Sequence, residues 1–152
     1  MADTLTVTKA RPEDRDAWLR LWGEWQTHMK GRVPVSVSET AWTMIMDPDS
    51  GLNTLLARQD EVVLGFANVS RMPFAWTAGE VLFLQDLFVS ESARGAGVGA
   101  ALLEGVYAFA DELDAHQVFW MVDENDPELQ RFYERHAIRT PYLRYMRKAW
   151  PW

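Results

Sequence analysis

Residues 82–103 constrain this chain more than any other stretch: an apolar run, a short polar connection, Arg94, three glycines at alternate positions (Gly95, Gly97 and Gly99), then an Ala/Leu-rich continuation. The run reads as a buried strand and the continuation as the start of a helix. Glycine lets a main chain come close to a ligand, and the first N–H groups of a helix lack partners within it and carry partial positive charge. Strand, glycines and helix in that order make a phosphate cradle, whose natural ligand is a pyrophosphate.

Several ligand classes use such a cradle, so spacing has to separate them. Gly95-x-Gly97-x-x-Ala100 satisfies the dinucleotide fingerprint in form, and Asp123 stands about 20 residues further on, where a ribose-binding acid is expected. In that fingerprint, however, the first glycine follows its strand almost directly and opens the first βα unit of a long alternating domain. Here residues 90–94 intervene, more than half of the chain precedes the motif, and too little follows it to complete a doubly wound sheet. A P-loop is excluded because no Gly-Lys-Ser/Thr follows the glycines. What remains is Arg-x-x-Gly-x-Gly/Ala after a strand ending in Leu-x-Val, present as Arg94-Gly95-Ala96-Gly97-Val98-Gly99 after Leu87-Phe88-Val89. This resembles the acetyl-CoA-binding motif of the GNAT acetyltransferases.

The rest of the chain supplies elements in a readable order. Residues 5–9 alternate like a strand, and Arg11-Pro12-Glu13-Asp14 supplies an early-helix proline and first-turn acids for a helix over residues 13–30, stopped by Gly31. Trp18, Leu21, Trp22 and Trp25 share one face of that helix, a stripe that reads as core, with an apolar substrate channel or a dimer surface as the alternative. Ser36 or Ser38 caps a second short helix through Glu39, Trp42 and Met46, and the turn chemistry of residues 47–51 ends it. Residues 53–58 and 62–71 form a hairpin around Gln59-Asp60-Glu61, and residues 72–79, with Pro73, form a loop. The strand over residues 81–89 then feeds the glycine loop, and the helix from Gly97 runs to about Leu113 with Leu102, Leu103, Val106, Tyr107 and Ala110 inward. Residues 118–122 make another strand, and Asp126-Pro127-Glu128 opens a helix that carries Leu129, Phe132 and Tyr133 and ends near His136. Residues 138–147 remain for one or two closing strands. The fold class is therefore α/β with a mixed sheet, in the order β-α-α-β-β-β-α-β-α-β, and this is also the order of the GNAT fold.

With 152 residues, 48% of them hydrophobic, the chain suits one domain over residues 1–152. No apolar run approaches a membrane span and the first residues lack a signal region, so neither a membrane nor an exported location is expected, and the cytoplasm is the default. Cysteine is absent and His28, His116 and His136 lie far apart, which leaves no thiolate nucleophile and no expected metal site. The net charge of −7 disfavours a nucleic-acid surface and favours cationic partners.

Acetyl transfer to an amine needs a deprotonated nitrogen, donors for the carbonyl oxygen and an acid for the departing thiolate. The resemblance implies where these lie. Leu87, Phe88 and Val89 would hold the pantetheine arm of acetyl-CoA through main-chain contacts, and Arg94, Gly95, Ala96, Gly97, Val98, Gly99 and Ala100 would wrap the pyrophosphate. Phe132-Tyr133-Glu134 resembles the family's apolar-Tyr-Glu/Lys motif, in which the Tyr protonates the thiolate; Phe132 joins the cofactor contacts. Family members usually carry Asn seven residues before that Tyr, whereas this chain has Asp126 there and Asn125 one place earlier, and Ala137-Ile138 replaces the usual Gly-Phe or Gly-Ala after the helix. Leu84-Gln85-Asp86-Leu87 resembles the Leu-Glu-Asp strand of the diamine and polyamine acetyltransferase branch, where the Glu takes the amine proton through water. Gln85 cannot take a proton but can orient a water, which leaves Asp86, Asp123 and Glu124 as acidic candidates.

The reading is an acetyl-CoA-dependent N-acetyltransferase acting by direct attack, in a ternary complex, on a primary amine: a small cationic amine or polyamine first, with an amino acid, an antibiotic or a protein amine left open. Its alternatives are a CoA-binding regulator without transferase activity, which Gln85 and Ala137 permit and Tyr133 opposes, and a nicotinamide-dependent oxidoreductase. The resemblance also implies a homodimer, for which the Trp150-Pro151-Trp152 end offers an apolar surface.

Overall fold

The structure, a computed structural model, describes residues 4–148. The chain divides into two compact units, Met1–Trp120 and Met121–Trp152. The first holds a five-stranded sheet in the order β1-β2-β3-β4-β5, with β1 (Leu5–Lys9), β2 (Leu52–Gln59), β3 (Val62–Phe74) and β4 (Gly79–Val89) antiparallel and β5 (Val118–Phe119) parallel to β4. α1 (Arg15–His28) and α2 (Val35–Met46) cover the face that carries Leu56, Phe66 and Phe88. α3 (Val98–Glu112) covers the other, with Gly105 against Val7 and Leu55 and Leu102 against Gly65. The second unit contains α4 (Pro127–Glu134), opened as expected by the Asp126 carboxylate accepting from Leu129 N–H at 3.0 Å, with Pro127 behind it. Among the described residues no helix is long and apolar enough to cross a membrane.

The Trp stripe of α1 is mostly core. Trp18 is 1% exposed and stacks on Trp22 at 5.3 Å, with Trp42 of α2 and Phe66 of β3 also against it. Trp25, one turn beyond Trp22, packs instead on Phe88 and His28. A buried ion pair ties the short helical turn before α1 to the sheet. Both Asp14 carboxylate oxygens accept from the Arg58 guanidinium, each at 3.0 Å, and Arg58 Nε is left without a partner.

Several boundaries differ from the sequence expectation. The first helix is a 3₁₀ turn over Pro12–Asp14 followed by α1, and its end is capped by Lys30 in the left-handed region (φ 56°), with Gly31 N–H bonded back to Gln26. Ser38 caps nothing: it is buried inside α2 and accepts from the Trp22 indole, while Pro34 occupies the cap position. The predicted loop over residues 72–79 shrinks to residues 75–78 because β3 runs on to Phe74. Pro73 is tolerated since β2 ends opposite Ser70, leaving β3 with a neighbour on one side only. In α3 Phe109 is buried and Tyr107 only half-buried. β5 stops at Phe119, short of the expected Val122. The expected closing strands over residues 138–147 do not form: described residues after α4 take no strand, Pro141 removes a ladder donor, and Ile138, Tyr142, Leu143 and Tyr145 are exposed. The Trp150–Trp152 end, expected to pack on a partner, lies outside the described residues.

Candidate active site

The site in the first unit is built where β4 outruns its neighbour. β5 pairs β4 only at Leu82 and Phe83, so from Leu84 to Val89 that edge of β4 has no strand beside it among the described residues. Ser90 N–H donates to the Leu64 carbonyl of β3 at 2.8 Å. Main-chain groups alternate sides along a strand, so Leu87 and Val89 direct theirs to the open edge and Phe88 directs its own to β3, opposite Phe66. Beyond Val89 the chain makes a 3₁₀ turn over Glu91–Ala93, and Gly95 (φ 82°) and Gly97 (φ 79°) take the left-handed conformation. Gly97 is the N-cap of α3 and has no side chain to bond the first N–H groups, which stay available. A Cβ at Gly95 or Gly97 would meet nothing within 4 Å, so the loop borders open space. Residues 94–97 are exposed, Gly99 and Ala100 are half-buried in the first turn of α3, and Val98 is buried as its anchor. Backbone donors, a helix start and open space together fit a pyrophosphate.

Beside this loop a cleft of about 790 Å³ is lined by Glu24, Thr27 and His28 of α1, by Phe88, and by Ser90, Glu91, Ser92 and Arg94. The Arg94 guanidinium lies 5.6 Å from the Phe88 ring centre and its Nε–H donates to the Val89 carbonyl. Phe88 is the floor shared by the cleft and the aromatic core.

A register shift between Asn68 and Val69 inserts one extra residue into β4: Asp86 pairs with Asn68, whereas Leu84 pairs with Val69. Simple alternation would put Gln85 and Asp86 on opposite faces. The bulge brings them to the same face, where the Gln85 amide donates to the Ser70 hydroxyl and Asp86 accepts from the Asn68 amide at 3.0 Å. The second Asp86 oxygen accepts from the Trp25 indole N–H, also at 3.0 Å. Burial pushes the Asp86 carboxyl above its ordinary value, and the bonds from Asn68 and Trp25 offset this only in part. No ion pair among the described residues involves Asp86.

In the second unit Tyr133 lies on α4 edge-on to Phe132 at 5.1 Å, and burial pushes its phenol up to about 12. It therefore keeps its proton across the physiological range. Asn125 is exposed and turned back on Asp123, whose carboxylate accepts from its main-chain and side-chain N–H groups. Glu124 is exposed. Sequence reasoning missed Asn68, Glu24 and His28 as site residues and had Trp25 only within the alternative of an apolar channel lined by the stripe. The one available signal was that Trp25 and His28 stand at i, i+3 on the expected helix; nothing in the sequence marks Asn68.

The Acetyltransferase (GNAT) family profile matches residues 14–137. The chain is 35% identical over 150 residues to the D-amino-acid N-acetyltransferase HPA3 of Saccharomyces cerevisiae, covering 97% of this chain and 93% of that protein. Among solved structures, a probable acetyltransferase superposes with a TM-score of 0.84 at 21% identity, over 95% of this chain and 98% of its own. A ribosomal-protein-alanine N-acetyltransferase from Brucella melitensis biovar Abortus 2308 superposes with a TM-score of 0.79 at 19% identity, over 95% and 99% of the two chains; at these identities the likeness concerns the fold alone.

Proposed function

The chain belongs to the GNAT acetyltransferase family, and on that premise we propose that it moves the acetyl group of acetyl-CoA onto the primary amine of a small molecule that meets Asp86 as a cation. The observation that carries this reading is the Asp86 carboxylate, held by two neutral donors and paired with no cation among the described residues. A half-buried carboxylate without a counter-charge is a seat for an ammonium group.

When bound, acetyl-CoA supplies an activated acyl group whose C–S bond breaks as the new C–N bond forms. The residues divide the remaining work. The amides of residues 95–100 and the start of α3 hold the pyrophosphate, with Arg94 beside them, and the open-edge main chain of Leu87 and Val89 bonds the pantetheine arm. Asp86 receives the ammonium and takes up its proton, directly or through a water held by Gln85, so that the nitrogen lone pair is free to attack. Tyr133 donates its phenolic proton to the departing sulfur, a role it takes from its position in the family's motif. Asn125 and Phe132 are cofactor contacts on the same ground.

A D-amino acid is the first acceptor to test, because the yeast relative bears that activity in its name. A diamine or polyamine is the second, since Glu24 and Glu91 line the cleft. Thiol release from acetyl-CoA over a panel of D- and L-amino acids, diamines and weakly basic neutral amines tests the proposal. Turnover with cationic amines supports it. Tight CoA binding with no transfer to any amine would replace it by a CoA-binding regulator.

A further inference from the structure

The bonds that reach Asp86 continue inward, and their direction is fixed. Trp18 Nε1–H, which can only donate, points at Asn68 Oδ1 at 3.3 Å, and the Thr54 hydroxyl donates to the same oxygen at 2.7 Å. Asn68 therefore cannot flip, and its Nδ2–H must face Asp86. The Trp25 indole is also a donor only and occupies the other Asp86 oxygen. Thr54 and Asn68 are buried, so water does not compete for these positions.

From this geometry we propose that Trp25 and Asn68 are positioning residues that lock the Asp86 carboxylate in one orientation and leave only its outward lone pairs to receive the acceptor's ammonium and its proton. The inference rests on the role given to Asp86 above. The titratable and charged groups of the cleft floored by Phe88, on which Trp25 packs, are Glu24 and His28 on α1 and Glu91 and Arg94 beyond the end of β4. On that face β3 presents Phe66, Asn68 and Ser70, none of which titrates between pH 4 and pH 10. His28 stacks on the Trp25 ring at 5.7 Å, so a change at Trp25 has to spare that stack.

Trp25→Phe does so: it keeps an aromatic ring between His28 and Phe88 and deletes one donor to Asp86. Loss of that donor makes the carboxylate harder to ionise. The acid limb of kcat/KM for the best cationic amine should then move up by about one pH unit, giving a roughly tenfold loss on the limb and little loss above it. A limb left in place, with activity equal to the parent's or lower by one factor at every pH, would return Trp25 to packing and overturn the inference. In the parent protein, the Trp25 indole N–H resonance should titrate with the midpoint of the acid limb and shift when the amine is added; a resonance indifferent to both would overturn it as well, whether or not the variant folds. Asp86→Asn separates the two levels. If it abolishes the limb while Trp25→Phe leaves it unmoved, only the positioning role falls; if the limb survives Asp86→Asn, the role of Asp86 falls and the inference with it.

Discussion

At the scale of the residue, the two groups proposed to handle protons, Asp86 and Tyr133, are tuned in the same direction by burial and would serve opposite ends of the reaction. A phenol pushed up to about 12 stays protonated wherever the enzyme works, so Tyr133 should contribute no basic limb of its own below pH 11. Tyr133→Phe deletes one hydroxyl and keeps the ring beside Phe132. Turnover should fall by one to several orders of magnitude, with CoA affinity and melting temperature nearly unchanged. Unaltered turnover when chemistry is rate-limiting would make Tyr133 a packing residue. The cradle has an equally local test. Gly97 combines a left-handed φ of 79° with the N-cap of α3, so Gly97→Asp imposes backbone strain and sets a negative charge where the pyrophosphate should lie. CoA binding measured by calorimetry should weaken at least about tenfold, since strain and repulsion each cost about 1 kcal/mol or more.

At the scale of the element, two contacts bear on the site, one at the end of β4 and one at the start of α1. A Cβ at Gly65 would stand 2.6 Å from the Phe88 carbonyl and 3.1 Å from Leu102, so Gly65→Ala must push β4 away from β3 where the open edge ends. The expected result is a loss of about 1–3 kcal/mol in chemical denaturation, together with weaker CoA binding. A stability loss without any effect on CoA would show that β4 yields elsewhere. The second contact is the fork between Arg58 and Asp14, which anchors the start of α1 to β2 and so sets where Trp25 falls. Burial alone would raise the Asp14 carboxyl, but the bonds and charges of Arg58 and Arg11 prevail and hold it below its usual 3.8. A carboxyl lowered in the folded state contributes stability that is present above its unfolded value and is lost as pH falls through the folded one. The parent melting temperature should therefore drop steeply below about pH 4. Asp14→Asn should be about 3–5 kcal/mol less stable near pH 7, because it strands a buried guanidinium, and should lose part of that acid sensitivity.

At the scale of the molecule, a net charge of −7 and a cleft lined by Glu24 and Glu91 should draw cationic acceptors from a distance. Raising ionic strength should increase KM for the amine and leave kcat almost untouched, since screening acts on exposed charges. A preference for acceptors that carry no ammonium group, with no salt effect on KM, would sink the reading in which an ammonium meets Asp86 and leave the family assignment standing.

The sequence by itself determined the cradle, the order of elements up to α4 and the family, because each is written locally: glycines that permit positive φ, a helix start without a cap side chain, apolar alternation, and Asp126-Pro127 at a helix entry. It also named Gln85, Asp86 and Tyr133, through short motifs read along one strand and one helix. It did not carry β3 past Pro73, since whether a proline is tolerated depends on which edge of the strand has a neighbour. Nor did it foresee that Ser38 would sit inside α2 or that residues 138–147 would form no strand, outcomes that depend on partners distant in the chain. Only the tertiary structure decided what surrounds Asp86. A one-residue bulge turned Gln85 and Asp86 to one face, and residues 25, 54, 68 and 18, drawn from three elements, closed on that carboxylate in a single hydrogen-bonded chain. Local sequence specifies which groups a strand carries; register and packing decide which of them meet, and a carboxylate's chemistry follows from what it meets.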